Sequence, residues 1–326
     1  MKIFAYSHRN DETEYFKKFS KKYNIEINTT DEEPTLKNVS FAKGYECISV
    51  ITTIINKDLL EEFKSIGVKY ISTRTIGYDH IDINYAEELG ISVGNVTYSP
   101  ISVADYTIML ILMITRKAKL ILERSSVQDY SLEKVQGVEL SRLTIGVMGT
   151  GRIGRTVIKH LSGFGCRIIA YDIYENDEVK KYAEYVSLKE LFKQSDLITL
   201  HMPATDENYH IINKKSLDIM KDNVFIVNTA RGSLIDTEDL ISYIEKGKVI
   251  GAGLDVIEHE PGLYYNDLKG QVISNRQMAI LKSFPNVIVT PHTAFYTNQA
   301  VSDMVENSIK SCILFMEGKE NPWQIK

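Results

Sequence analysis

The feature that most narrows the fold is Thr144–Gly154, TIGVMGTGRIG, where an apolar run leads straight into Gly149-Thr150-Gly151-Arg152-Ile153-Gly154. Glycines at this spacing suit a tight turn from strand to helix. Gly149 permits the turn, Gly151 lets backbone N–H groups approach a pyrophosphate, and Gly154 lets the helix pack close to the strand. Such glycines alone are a weak signal, and context has to carry it. Short apolar runs at Thr144–Met148, Arg167–Tyr171, Leu197–Leu200, Val224–Asn228, Gly251–Leu254 and Val287–Val289 alternate with helix-like stretches. Those stretches are Ile153–Leu161, Leu188–Lys193, Lys215–Met220 and Thr237–Lys246. The alternation predicts an α/β fold: a six-stranded, doubly wound parallel sheet with helices on both faces, of the dinucleotide-binding kind.

The residues before the turn need a place of their own, since 326 residues exceed one ordinary core. Lys2–Tyr6, Cys47–Ile51, Tyr70–Thr73 and Ser92–Val93 read as strands among polar helices, without a glycine fingerprint. They predict a smaller, flavodoxin-like α/β domain. Between the two lies YSPISVADYTIMLILMITRKAKLILERS, opened by Ser99 and Pro100 as N-cap and first-turn residue. Its apolar run is too continuous for a surface helix, so a long helix buried between domains is expected. A second helix is expected over Asn298–Glu317. If it returns to the first domain the chain crosses twice, giving a hinge with a cleft beside it. The expected division is 1–98 with 297–326 for a substrate domain and 99–296 for a nucleotide domain.

Composition bears on partners. A net charge of −5 with 25% charged residues offers no clustered positive field for nucleic acid or an anionic membrane, and neither is expected as a partner. The most apolar segment, Ile108–Ile114, is far short of a membrane span. Cys47, Cys166 and Cys312 lie far apart, which fits a reducing compartment; a cytoplasmic protein is expected. No metal is expected. The H-E-x-x-H spacing is absent, and Glu258-His259-Glu260 are too close in sequence to converge on one ion. A serine nucleophile lacks its G-x-S-x-G elbow.

The chemistry-bearing residues gather at predicted strand ends. Tyr171-Asp172 ends the second strand, where a carboxylate accepts from both ribose hydroxyls and repels a 2′-phosphate, favouring NAD over NADP. His201 and Pro203 follow the third strand, Thr229-Ala230-Arg231-Gly232 the fourth, Asp255–Glu260 the fifth and Pro291-His292 the sixth. Ligands of doubly wound sheets bind outside the carboxyl ends of the strands, so all of these face one rim. Arg231, Glu260 and His292 make a coherent set. A protonated His can deliver a proton to a reduced carbonyl, a neighbouring carboxylate stabilises the imidazolium, and an Arg can grip a substrate carboxylate bidentately. His8, His80, His160 and His210 read as loop or solvated residues.

NTARGSLID (Asn228–Asp236), GLDVIEHEP (Gly253–Pro261) and VIVTPHTAFYT (Val287–Thr297) resemble the signature blocks of D-isomer-specific 2-hydroxyacid dehydrogenases. YISTRTIGYDHIDI and GNVTYSPISVADYTIMLILM are similar to the D-lactate dehydrogenase branch, leaning towards the pyruvate reductases of vancomycin-resistance operons. The resemblance runs from about Ile48 to Phe315. It implies Arg231 on the substrate carboxylate and keto oxygen, His292 as acid/base, and Glu260 as its partner, with Glu258 a decoy. Cofactor contacts would come from Arg152, Ile153, Asp172, Met202, Pro203, Asn208, Thr229, Ala230 and Asp255, the last at the nicotinamide amide. Ile76 and Gly77 would hold the carboxylate through backbone N–H groups, and Tyr98 and Phe295 would line the pocket for the 2-substituent. The implied activity is reduction of pyruvate to D-lactate with NADH, in a homodimer. A bulkier 2-keto acid such as 2-ketoisocaproate, or an NAD(H)-sensing corepressor, are the alternatives. Two departures stand out. His80 replaces the Asn of many relatives. Asp172 is an acid that some resistance-type members lack, and it points to an ordinary fermentative role.

Overall fold

The computed structural model describes residues 1–260 and 262–325; Pro261, which closes the GLDVIEHEP block, and Lys326 lie outside the described residues. The fold is α/β, with two parallel sheets. The chain divides into two compact units, residues 1–99 with 296–326 and residues 100–295.

The first unit runs β1 (Lys2–Ala5), α1 (Thr13–Tyr23), β2 (Glu26–Thr29), β3 (Cys47–Val50), α2 (Lys57–Ser65), β4 (Tyr70–Thr73), α3 (Ile83–Glu88) and β5 (Ser92–Gly94). Its sheet order is β2-β1-β3-β4-β5, the flavodoxin-like order. β2 was not expected. It is an edge strand with the sequence EINT and no buried residue, so it has no apolar run to read. β3 and β4 are buried along their whole length, as strands covered on both faces are.

The second unit runs α4 (Pro100–Thr115), α5 (Ala118–Ser126), β6 (Thr144–Met148), α6 (Arg152–Ser162), β7 (Arg167–Tyr171), β8 (Glu184–Tyr185), α7 (Leu188–Gln194), β9 (Leu197–Leu200), α8 (Lys214–Ile219), β10 (Val224–Asn228), α9 (Thr237–Glu245), β11 (Val249–Leu254), α10 (Arg276–Ser283) and β12 (Val287–Val289). The order β12-β11-β10-β9-β6-β7-β8 reverses direction between β6 and β9, the switch point of a doubly wound sheet. The sheet has seven strands rather than the expected six. The extra one, β8, is two residues long and too short to show a period. Apolar side chains fill both faces. Ile145, Val147, Phe225 and Val227 pack under α4 and α6, while Met148, Ile198, Ile226 and Leu254 pack under α7 to α10.

The long helix expected after Ser99 is corrected in one respect. It breaks between α4 and α5, where Lys117 takes a left-handed φ of 53°. The carbonyl of Thr115 accepts from Val138 N–H at 3.0 Å rather than from the next helical turn. Its buried residues, including Leu110, Ile111 and Ile114, belong to the core of the second unit's own sheet. The last helix, α11 (Asn298–Met316), is capped by Thr297 and packs on α1, β3 and β4 of the first unit.

Candidate active site

The glycine turn has the shape its sequence demands. Gly149 has φ 89°, and a Cβ there would lie 2.7 Å from the carbonyl of His201. A Cβ on Gly154 would lie 1.9 Å from the oxygen of Gly149. Both positions exclude a side chain, one through backbone conformation and one through contact. A Cβ on Gly151 would meet nothing within 4 Å, so space is open in front of the N-cap of α6. Open space facing the unpaired N–H groups of a helix start fits a pyrophosphate. Asp172 stands beside the turn and accepts from Thr150 N–H and Thr150 Oγ1. Arg152 and Ile153 begin α6, Arg152 exposed and Ile153 half-buried.

The remaining expected cofactor residues occupy the same rim. Met202 and Pro203 follow β9, and Thr229 and Ala230 follow β10. The Thr229 hydroxyl meets that of Thr107 at 2.9 Å. Asn208 donates to the carbonyl of Pro203 at 2.7 Å and accepts from Thr205 N–H at 2.8 Å, so its amide closes the 203–208 loop. Beneath the turn, His201 meets Thr199 Oγ1 through Nε2 at 2.9 Å, while its buried Nδ1 has no partner among the described residues. Burial brings its pKa down to about 3, so the ring is neutral at physiological pH.

The loops after β11 and β12 bring Glu260 and His292 together. His292 Nδ1 lies 2.8 Å from Glu260 Oε1, and among the described residues its Nε2 makes no hydrogen bond. A carboxylate accepts, so the proton of this pair sits on Nδ1 when Glu260 is ionised and Nε2 is left unbonded. Asp255 builds the support. It is fully buried, and its carboxylate accepts from Thr290 Oγ1 (2.6 Å), Thr293 N–H (2.9 Å) and Ala294 N–H (2.8 Å). Its backbone oxygen accepts from His292 N–H at 2.8 Å. Asp255 therefore shapes the turn that presents His292, a task the sequence reading missed.

Arg231 follows β10 at the start of a turn packed closely against the loop that leads to Glu260. A Cβ on Gly232 would lie 2.1 Å from the carbonyl of Ile257. Buried Asn228 holds the turn from below, donating to Arg231 O at 2.7 Å and accepting from Ala230 N–H at 2.9 Å. Arg231 itself is half-buried and its Nη1 donates to Ala230 O at 2.7 Å.

Phe295 stands with its ring 6.4 Å from that of His292. Tyr265, which no sequence signal marked, joins them: its ring centre is 6.3 Å from His292 and 6.5 Å from Phe295, and its hydroxyl donates to His292 O at 2.8 Å. Glu258 faces elsewhere. It accepts from Thr237 Oγ1 at 2.6 Å and meets His210 Nε2 at 2.7 Å, with Asp236 on the other ring nitrogen at 3.3 Å. His210 thus ties two loops together. Ile76, Gly77 and Tyr98 belong to the first unit, Ile76 and Gly77 in the loop after β4. The carbonyls of Ile76 and Gly77 accept from Asn95 Nδ2 (2.7 Å) and Thr75 Oγ1 (2.6 Å).

A strand-reversal crevice, an open helix start and an oriented His–carboxylate pair define the class: an oxidoreductase built on a dinucleotide-binding sheet. Residues 108–294 match the family described as "D-isomer specific 2-hydroxyacid dehydrogenase, NAD binding domain", and the chain belongs to that family. It is an NAD-dependent D-2-hydroxyacid dehydrogenase. It is 48% identical to an aromatic 2-oxoacid reductase of Clostridium sporogenes, over 94% of this chain and 93% of that one. It is 42% identical to a D-specific alpha-keto acid dehydrogenase of Enterococcus faecium, over 98% of both. A solved D-lactate dehydrogenase from Treponema pallidum is similar over 100% of both chains, at 34% identity and a TM-score of 0.90.

Proposed function

We propose that the chain reduces pyruvate to D-lactate, with Arg231, Glu260 and His292 as its catalytic residues. The observation that carries this reading is the 2.8 Å bond from His292 Nδ1 to Glu260, which leaves Nε2 open to take up a second proton and, in the imidazolium, to donate it. Bound NADH supplies the hydride. His292 delivers the proton to the carbonyl oxygen, Glu260 stabilises the imidazolium, and Arg231 holds the substrate carboxylate while polarising the carbonyl. The cofactor is held by the glycine turn and Asp172, with Met202, Pro203, Asn208, Thr229, Ala230 and Asp255 around it. Ile76, Gly77 and Tyr98 are assigned to substrate on the resemblance alone, and Phe295 also on its place beside His292.

A second reading has its own support: the relative at 48% identity is named for aromatic 2-oxoacids, and two aromatic rings flank His292. Steady-state kcat/KM for pyruvate, 2-ketoisocaproate and phenylpyruvate with NADH, with chiral analysis of the product, separates the readings. The pyruvate reading predicts the highest value for pyruvate and a D product. A higher value for phenylpyruvate moves the assignment to the aromatic substrate, and no turnover with any 2-oxo acid removes both.

Cytoplasmic residence and a homodimer complete the proposal. Leu122 is 63% exposed and Leu132 86% exposed in the α5 region, an apolar surface a second copy would cover. No described helix is long and apolar enough to cross a membrane. Sedimentation of the wild type and of a Leu122→Glu, Leu132→Glu variant tests the dimer: a wild type that sediments as a monomer rejects it.

A further inference from the structure

The unexpected strand β8 carries a side chain that reaches the nucleotide site. Pairing of Ala170 with Tyr185 sets β8 alongside β7, whose end leads into Asp172. The backbone N–H of Asn176 donates to Tyr185 Oη at 2.9 Å. Tyr185 donates to Thr150 Oγ1 at 2.8 Å, and Thr150 Oγ1 donates to Asp172 Oδ2 at 3.0 Å. The ends of this chain fix its sense. An amide N–H can only donate and an ionised carboxylate can only accept, so the two hydroxyls between them have one fully bonded orientation. Every proton points toward Asp172, and bonds aligned in this way polarise one another. Thr150 is 3% exposed, which removes water as a competitor for the middle link.

We propose that Tyr185 is a positioning residue for cofactor selectivity, fixing the Asp172 carboxylate through Thr150. The inference rests on the reading of Asp172 as the acid that meets the ribose. Oδ2 is held twice by Thr150, through the hydroxyl and the backbone N–H. Among the described residues Oδ1 accepts only from Tyr174 N–H, at 3.1 Å. One lone pair of Oδ1 is thereby kept for a ribose hydroxyl, and the charge cannot swing away from the position a 2′-phosphate would occupy. Without the relay the carboxylate gains freedom to rotate. NADH then loses an oriented acceptor, while NADPH meets a charge that can retreat.

Isothermal titration calorimetry of NADH and of NADPH against the purified chain tests this directly, with wild type, Tyr185→Phe, Thr150→Ser, Thr150→Val and Asp172→Ala. Tyr185→Phe is expected to weaken NADH about three- to tenfold, as for one neutral hydrogen bond lost, and to lower the ratio of NADH to NADPH affinity. Thr150→Ser keeps the hydroxyl and should keep the ratio; Thr150→Val should lower it, and serves as the test if Tyr185→Phe does not fold. In an Asp172→Ala background, Tyr185→Phe should leave the ratio unchanged. Equal weakening of both nucleotides by Tyr185→Phe, or no change in the ratio while Asp172→Ala lowers it, overturns the relay and leaves the Asp172 reading standing. An unchanged ratio in Asp172→Ala overturns that reading and the relay with it.

Discussion

His292 sits at φ 52°, a left-handed conformation that a non-glycine residue keeps only when its surroundings impose it. Its N–H is held by Asp255 O and Thr290 O, its ring by Glu260 and its carbonyl by Tyr265 Oη. Removing one restraint should loosen the ring without touching the nucleotide site. Tyr265→Phe is expected to lower kcat/KM for the 2-oxo acid about three- to tenfold with NADH affinity unchanged; an equal loss in NADH affinity would contradict a role confined to His292. His201 gives a pH prediction. Its pKa is about 3 when folded against 6.5 when free, so between those values the unfolded chain binds the extra proton. Stability from this residue is complete above about pH 6.5 and declines as pH falls toward 3. The thermal midpoint of His201→Gln should therefore drop less than that of the wild type between about pH 6.5 and 4.5. Parallel curves would rule out His201 as a source of acid sensitivity.

Elements were legible where burial wrote itself into the sequence. β9 and β10 are buried at every residue, and apolar runs marked both. β2 is exposed at three of its four residues and β8 is two residues long, so neither left a pattern. The break after α4 was hidden for another reason: it depends on Val138 capturing the Thr115 carbonyl, a contact from a distant loop. The site followed the same rule. Glu260 and His292 were visible at strand ends, whereas the work of Tyr185, Tyr265 and the Asp255 carboxylate is set by strand register and loop geometry. Gly232 joins two of these loops. Gly232→Ala would push Ile257 away and part the Arg231 turn from the Glu260 loop. Steady-state kinetics should record a fall of at least about tenfold in kcat/KM, with NADH binding retained; wild-type kinetics would mean the loops yield without cost.

At the scale of the molecule, the first unit is assembled from separated parts of the chain. A buried hydroxyl seam joins α11 to the sheet: Ser308 meets Ser49 at 2.7 Å and Ser72 at 2.9 Å, and Ser311 meets Tyr70 at 2.7 Å. Asn321 adds a bond to Tyr70 at 2.9 Å. Ending the chain at Phe295 would leave these hydroxyls and the apolar face around Cys47 and Ile3 uncovered. Limited proteolysis of that truncation should cleave within residues 1–99 while sparing 100–295; protection of both halves would show that the sheet does not need α11.

The same seam orders events on the ribosome. The strands of the first unit emerge early, yet the helix that closes one face of their sheet is made only after the whole second unit. At typical synthesis rates the interval is roughly ten to forty seconds. For that time the finished unit is the one placed later in the chain, and the earlier one waits with an open flank of serines, a tyrosine and a cysteine. A nascent-chain arrest series should therefore find the nucleotide-binding half protected first, in reverse of the order of translation.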